Sequence, residues 1–169
     1  ELAELLGAPV ASSVSGHGVI PDDHPLAVGV VGTNGGTDET RDVVAAADLV
    51  IFVGARAGST TTEHGHVPSR QTRIVHIDVD PMVVGANYQY EAALVGDAAL
   101  CLAALRDAIA RRLSSPLGHG ELVARLAKGN ARKRARFARL AASSECPIRP
   151  ERVLNALQDA LPADAILVA

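Results

Sequence analysis

Two short apolar runs give the chain its plainest signal. One is Ala47-Asp48-Leu49-Val50-Ile51-Phe52-Val53-Gly54-Ala55-Arg56. The other is Arg73-Ile74-Val75-His76-Ile77-Asp78-Val79-Asp80-Pro81. Both are dense in Val and Ile and bounded by turn residues, which predicts buried parallel strands over 48–54 and 73–79. Each run releases the chain at its carboxyl end with Gly, Arg or Asp. Open α/β sheets bind ligands at that end of their strands.

The flanking pattern alternates helix with strand. Glu1 to Gly7 has helical spacing, with Gly7 as its stop. Ala8 to Ser12 predicts a short strand with Pro9 near its start, where a missing N–H is tolerated. Residues 13–25 are turn-rich, and 26–31 predicts a second strand. After Gly32-Thr33-Asn34-Gly35-Gly36, either Thr37 or Asp38 can cap a helix running to about Ala47. A loop spans 55–72, Pro81 can open a helical turn, and 93–95 predicts a further strand. Leu102, Leu105, Ile109 and Leu113 form one apolar stripe on a helix over 98–113. A linker follows to Gly120, then a strongly basic helix over 121–142. Cys146 to Pro150 breaks it. Pro150 opens a last helix with Val153, Leu154, Leu157 and Leu161 inward, and 165–169 predicts a closing strand. Strands alternating with helices predict an α/β fold with a mainly parallel sheet. A helix without a cap at Glu1 and a strand at Ala169 are expected of a piece cut from a longer chain.

Composition narrows the class. At 169 residues one domain with a tail is expected, and 48% hydrophobic residues suffice for a core. Aromatics are 2%, so Val, Leu, Ile and Ala must fill it. The net charge of −3 argues against a nucleic-acid binder. Cys101 and Cys146 are far apart and lack CxxC spacing, so neither a disulfide framework nor a zinc site is expected, and a reducing cytoplasm fits. No run approaches the roughly 20 apolar residues that span a bilayer. No basic segment followed by an apolar stretch opens the chain, so no secretory signal is expected.

Five phrases in order carry a family resemblance. They are Leu2 to Ser12 (LAELLGAPVAS), Gly16 to Pro25 (GHGVIPDDHP), Ala47 to Arg56, Ile74 to Pro81, and Leu94 to Ala98 (LVGDA). Together they resemble the central domain of thiamine-diphosphate-dependent enzymes of the acetolactate synthase and 2-keto-acid decarboxylase group. The resemblance covers about residues 1–113. It implies a three-layer Rossmann-like domain of the DHS-like NAD/FAD-binding kind, with its first strand missing before Glu1. It implies a basic linker helix over 114–146. It also makes 147–169, with Pro150-Glu151-Arg152-Val153-Leu154, the start of a C-terminal diphosphate-binding domain. The implied parent is a lyase or transferase that makes or breaks carbon–carbon bonds of 2-keto acids, and a homodimer or homotetramer. Its thiamine diphosphate and Mg²⁺ would be held by other domains. No catalytic residue is then expected here, and the chain alone should be inactive.

Candidate binding residues follow. Gly32 and Asn34 lie in a glycine loop before a helix N-terminus, where N–H groups could meet a phosphate. The loop is neither GxGxxG nor a Walker motif, and a plain strand-to-helix turn is the reading it favours. Gly54 ends the 48–54 strand and Arg56 follows it, and the resemblance places that arginine along a dinucleotide. Arg56 could instead pair with a carboxylate to fix a loop. Asp78 and Asp97 end strands where ribose hydroxyls or an adenine amine could be accepted. Asp97 is also a ready N-cap, and Asp78 a turn residue ahead of Pro81. Ser13 matches a position near the flavin. The chain departs from flavin-binding relatives at Ala57-Gly58-Ser59-Thr60 and Thr33-Asn34, which replace Phe, Asp and Met-His contacts. FAD, ADP or an empty crevice all remain open. His64 and His66 lack a third converging ligand, so no metal site is expected. The basic helix has only Phe137 as an interleaved aromatic, which favours a solvated linker over a nucleic-acid site. Two other classes remain: a stand-alone FAD, ADP or NAD module, and a non-catalytic oligomerisation domain.

Overall fold

The computed structural model describes residues 1–118, 120–162 and 164–166. They form two compact units, Glu1–Leu126 and Ala127–Ala169. The first holds α1 (Leu2–Leu6), β1 (Val10–Ser12), β2 (Ala27–Val30), α2 (Asp38–Ala45), β3 (Leu49–Val53), β4 (Arg73–Asp78), β5 (Ala92–Val95) and α3 (Ala98–Ala110). Helix α4 (Gly120–Ala141) begins in the first unit and continues in the second, which also holds α5 (Pro150–Ala160).

Local chemistry accounts for the helix ends. Gly7 takes the left-handed conformation at φ 56 and ψ 29, returning its N–H to the last turn of α1. The Thr37 side chain accepts from Thr40 N at 3.4 Å to cap α2. The Asp97 carboxylate accepts from Leu100 N at 3.0 Å to cap α3. Pro150 sits in the first turn of α5, where its missing N–H costs nothing. β1 starts at Val10, just after Pro9.

Every strand pairing is parallel, as the helix–strand alternation predicts. The strands form two hydrogen-bonded groups, β1-β2 and β3-β4-β5. The fold is α/β and Rossmann-like. Register is unbroken from Leu49↔Arg73 to Val53↔Ile77 and from Val75↔Ala92 to Asp78↔Val95. β1 and β2 slip once, between Val10 and Ala11.

One expectation needs correcting. The 48–54 run is not wholly buried. Leu49 and Val53 are each 37% exposed, because β3 is an edge of its three-stranded group. The middle strand carries the burial instead: Ile74 and His76 are 1% exposed and Ile77 is 0%. The predicted 165–169 strand falls partly on residues 167–169, outside the described residues. Ala165 and Ile166 belong to no strand.

Two clusters make the core. Phe52, Ala57, Ile74 and Tyr88 form one, with the Phe52 ring 5.8 Å from His76 and 5.7 Å from Tyr88 in tilted contact. The Tyr88 hydroxyl donates to Pro68 O at 2.9 Å, so its burial leaves no polar group unmet. Val28, Val43 and Leu126 form the other, with Ala11 and Leu122 against it. There the Thr40 hydroxyl donates to Val28 O at 3.2 Å. The Arg73 guanidinium donates to both Glu91 oxygens, at 2.5 and 2.8 Å, and holds that carboxyl below the usual carboxylate range.

The burial contrast across the sheet sets an order of stabilities. Ile77→Ala is expected to cost about 2–5 kcal/mol, since a fully enclosed side chain leaves a cavity. Leu94→Ala, at a 37% exposed edge position, should cost well under half as much. Urea denaturation of both variants checks this, and equal costs would contradict it.

Candidate functional site

The strand exits converge on the carboxyl edge of the parallel groups. Gly54 N donates to Ile77 O at 2.9 Å and Gly96 N to Asp78 O at 3.0 Å. The chain leaving β3, β4 and β5 is thereby laced together beside Gly54, Asp78 and Asp97. On the β1-β2 side, Val31 N donates to Ser12 O at 2.8 Å, which aligns the segments carrying Ser13 and Gly32. Thr33 N then donates to Thr60 O at 2.9 Å and ties the glycine loop to the loop after β3.

The glycines divide by cause. At Gly32 φ is +96, and an added Cβ would lie 2.2 Å from Thr60 O. That glycine exists to let two backbones meet. At Gly54 φ is +57, and an added Cβ would meet nothing within 4 Å. The turn there needs only the left-handed backbone, and the space beside it is open. Asn34 is exposed, and its side-chain oxygen accepts from Thr33 Oγ1 at 3.4 Å.

Arg56 is held by its backbone. Asn87 Nδ2 donates to Arg56 O at 2.8 Å. His76 Nε2 donates to Ala55 O at 3.0 Å, while its Nδ1 accepts from Gly85 N at 3.3 Å. Those bonds assign the buried imidazole its neutral, Nε2–H form. Sequence reasoning missed both His76 and Asn87. His76 was detectable, since it shares the inward parity of Ile74 in an apolar run. Asn87 lies in a loop and gave no signal. The Arg56 guanidinium is exposed and makes no ion pair among the described residues, so the loop-fixing role is taken by its carbonyl.

The carboxylates are partly engaged. Asp78 is 8% exposed, and its Oδ1 accepts from Asp80 N at 2.9 Å. Asp80 Oδ1 in turn accepts from Met82 N at 2.9 Å, so two side-chain turns lead the chain past Pro81. Asp97 caps α3. Ser13 Oγ accepts from Gly16 N at 3.1 Å and caps a short 3-10 turn, Val14–Gly16. Three of the seven candidates, Ser13, Asp78 and Asp97, thus commit a side-chain oxygen to a local turn or cap, and Gly32 and Gly54 are required by the backbone.

The histidine loop is braced. Ser59 Oγ lies 2.7 Å from His64 Nδ1, and Arg41 Nε donates to Glu63 at 2.8 Å, which raises the Arg41 pKa. Among the described residues, no three His, Cys, Asp or Glu side chains converge as a metal site would require. Among the described residues the edge therefore offers the Arg56 guanidinium without an ion pair, open space at Gly54 and two carboxylates beside turns. That set can hold an anion or a hydroxyl. Among the candidate residues there is no nucleophile with an adjacent base.

Residues 1–105 match the family described as the thiamine pyrophosphate enzyme central domain. The chain belongs to that family. The central domain is 37% identical over 97 residues to a probable acetolactate synthase large subunit of Methanocaldococcus jannaschii, covering 57% of this chain and 16% of that protein. It is 32% identical over 166 residues to the acetolactate synthase large subunit of Parasynechococcus marenigrum, covering 98% of this chain and 26% of that protein. It is 29% identical over 171 residues to a glyoxylate carboligase of Escherichia coli O157:H7, covering 99% and 28%. The chain thus spans between about a sixth and somewhat over a quarter of these relatives' lengths.

Substitution at the two glycines should separate their roles. Gly54→Ala carries only the left-handed backbone cost of about 1–2 kcal/mol. Gly32→Ala adds a collision with the Thr60 carbonyl and should cost distinctly more. Thermal unfolding of both variants measures the difference, and a Gly32→Ala protein as stable as Gly54→Ala would refute the packing account.

Proposed function

We propose that this chain is the central part of a thiamine-diphosphate- and Mg²⁺-dependent enzyme that joins or cleaves 2-keto acids, in the manner named for the acetolactate synthase and glyoxylate carboligase relatives. The observation that carries the reading is the match of residues 1–105 to the family, extended by alignments covering 98% and 99% of the chain. Residues 114–146 serve as the linker to the next domain, and 147–169 begin it. The parent is a homodimer or homotetramer that acts in the cytoplasm without nucleic acid or membrane. No described helix is long and apolar enough to cross a membrane.

The described residues do not fit a thiamine diphosphate site. Among the described residues no acidic cluster could hold Mg²⁺, and no Gly-Asp-Gly run occurs in the given sequence. Those groups belong to the parent's other domains. This chain spaces those domains and offers its carboxyl-edge crevice to a nucleotide such as FAD or ADP. Arg56 would face the diphosphate, for which its free guanidinium fits. Asp78 and Asp97 would accept ribose or adenine donors through oxygens their turns leave over.

The parent with thiamine diphosphate and Mg²⁺ is expected to form a carbon–carbon bond from pyruvate or glyoxylate, and the 169 residues alone to form none. Product formation by the isolated chain would overturn the reading. Titration calorimetry tests the crevice separately. ADP should bind the chain, and Arg56→Ala should weaken it about tenfold, the effect of roughly 1.4 kcal/mol. Equal affinity for both proteins would remove Arg56 from the site.

A further inference from the structure

The loop after β3 holds a serine and a histidine that the proposed nucleotide site does not use. Ser59 Oγ lies 2.7 Å from His64 Nδ1, and both residues are exposed. A hydroxyl within hydrogen-bond reach of an imidazole is the minimal unit of an activated nucleophile. With its proton on Nε2, the His64 ring accepts the Ser59 hydroxyl at Nδ1. Among the described residues Nε2 has no hydrogen-bond partner, so that tautomer costs no contact.

The backbone brings the two side chains together without needing their contact. His64 N donates to Ser59 O at 2.8 Å. Thr62, 2% exposed, is the hub between them. Its N–H and its hydroxyl both donate to Gly58 O, each at 3.0 Å. Its carbonyl accepts from the N–H groups of Gly65, His66 and Val67, at 3.0, 2.9 and 3.0 Å. Arg41 Nε donates to Glu63 at 2.8 Å and ties the turn to α2. Glu63 and His64 have φ of 48° and 60°, left-handed values uncommon for non-glycine residues. Backbone held in this way clusters at functional sites. A segment that only reversed the chain could use glycine there, as it does next at Gly65. The N–H groups of Thr60 and Thr61 make no hydrogen bond among the described residues. They adjoin Ser59 in the chain and can donate to an oxyanion formed beside it.

We propose that Ser59, with His64 as its base, is an acyl-accepting nucleophile, and that the chain cleaves small activated esters through it. Attack joins Ser59 Oγ to the ester's carbonyl carbon while the hydroxyl proton passes to His64 Nδ1. The bond from that carbon to the leaving oxygen breaks, and the leaving oxygen takes the proton from His64. Water then cleaves the acyl-serine: His64 accepts a proton from the water and returns it to Ser59 Oγ, and the acyl group departs as a carboxylic acid. Because both groups are exposed, a short acyl group with a good leaving group suits the site. The reaction is separate from the carbon–carbon chemistry proposed above and uses none of the seven nucleotide-site candidates.

Incubation of the chain with p-nitrophenyl acetate at slightly alkaline pH, where imidazole is neutral, tests it. Peptide mass spectrometry after an acid quench should find acetyl on Ser59, and p-nitrophenol release should show a burst before slower turnover. Ser59→Ala should lose both the adduct and the burst. His64→Asn keeps a residue that tolerates the left-handed backbone. It should slow acetylation of Ser59 about a hundredfold, the low end of general-base catalysis. His66→Gln should react like wild type, and all variants should keep the wild-type circular dichroism. Should His64→Asn unfold, the exposed Ser69 and Ser144 of the wild-type chain serve as the comparison, and Ser59 should be acetylated much faster than either. Acetyl on lysines or the amino terminus alone overturns the proposal. So does a Ser59 rate no higher than that of Ser69 and Ser144, or one unchanged in His64→Asn. Acetyl that stays on His64 without reaching Ser59 would make the histidine the nucleophile and overturn it too.

Discussion

Strand β4 is the constraint on which the first unit depends. It has a hydrogen-bonded parallel neighbour on each side, and the two registers together commit β3, β4 and β5 to one alignment. Its residues alternate between the Phe52–Tyr88 cluster and the opposite face, where Ile77 is fully enclosed. A slip of one residue would exchange those two buried faces, taking Ile74 away from Phe52 and Tyr88 and His76 away from Ala55 and Gly85, so packing and hydrogen bonding together hold the register. The same strand delivers His76, whose two ring nitrogens pin the loops at Ala55 and Gly85. Leaving those buried polar groups unpaired would cost about 1–3 kcal/mol each. Packing and loop placement are therefore coupled through one strand.

That coupling explains why the carboxyl edge of the strands has its present form. Arg56 extends from a segment whose carbonyls are clamped by His76 and Asn87, so its exposed head is free while its backbone is not. Asp78 leaves the same strand, and its carboxylate turns the chain before Pro81. The glycine loop reaches this edge because Gly32 has no side chain to keep Thr60 away. The edge is built first as a set of turns. Binding would use only what the turns leave over: one guanidinium, some carboxylate oxygens and open space at Gly54.

Much of the fold was legible because its signals are local. Gly7, Thr37, Asp97 and Pro150 each act within a turn of their own position, and all four do in the structure what their residue types predict. The apolar runs at 48–54 and 73–79 marked strands by content and length. What could not be read was their unequal burial. Leu49 and Ile74 look alike in sequence, yet one is at an edge and the other is central. The site divides the same way. Strand-exit residues were recognisable from position, whereas Asn87 acts on Arg56 across 31 residues and has no local mark.

By itself, the sequence determined the helix–strand alternation, the parallel sense, the caps and the family. These follow from periodicity and from side chains that bond to their own neighbours, which need no knowledge of the rest of the chain. The tertiary structure decided which strand is central, that the strands divide into β1-β2 and β3-β4-β5, and which candidates have a structural task already. It also decided that Gly32 serves a backbone contact while Gly54 faces open space. The physical reason is that burial and close approach are properties of neighbours distant in sequence, and no residue carries them in its own chemistry.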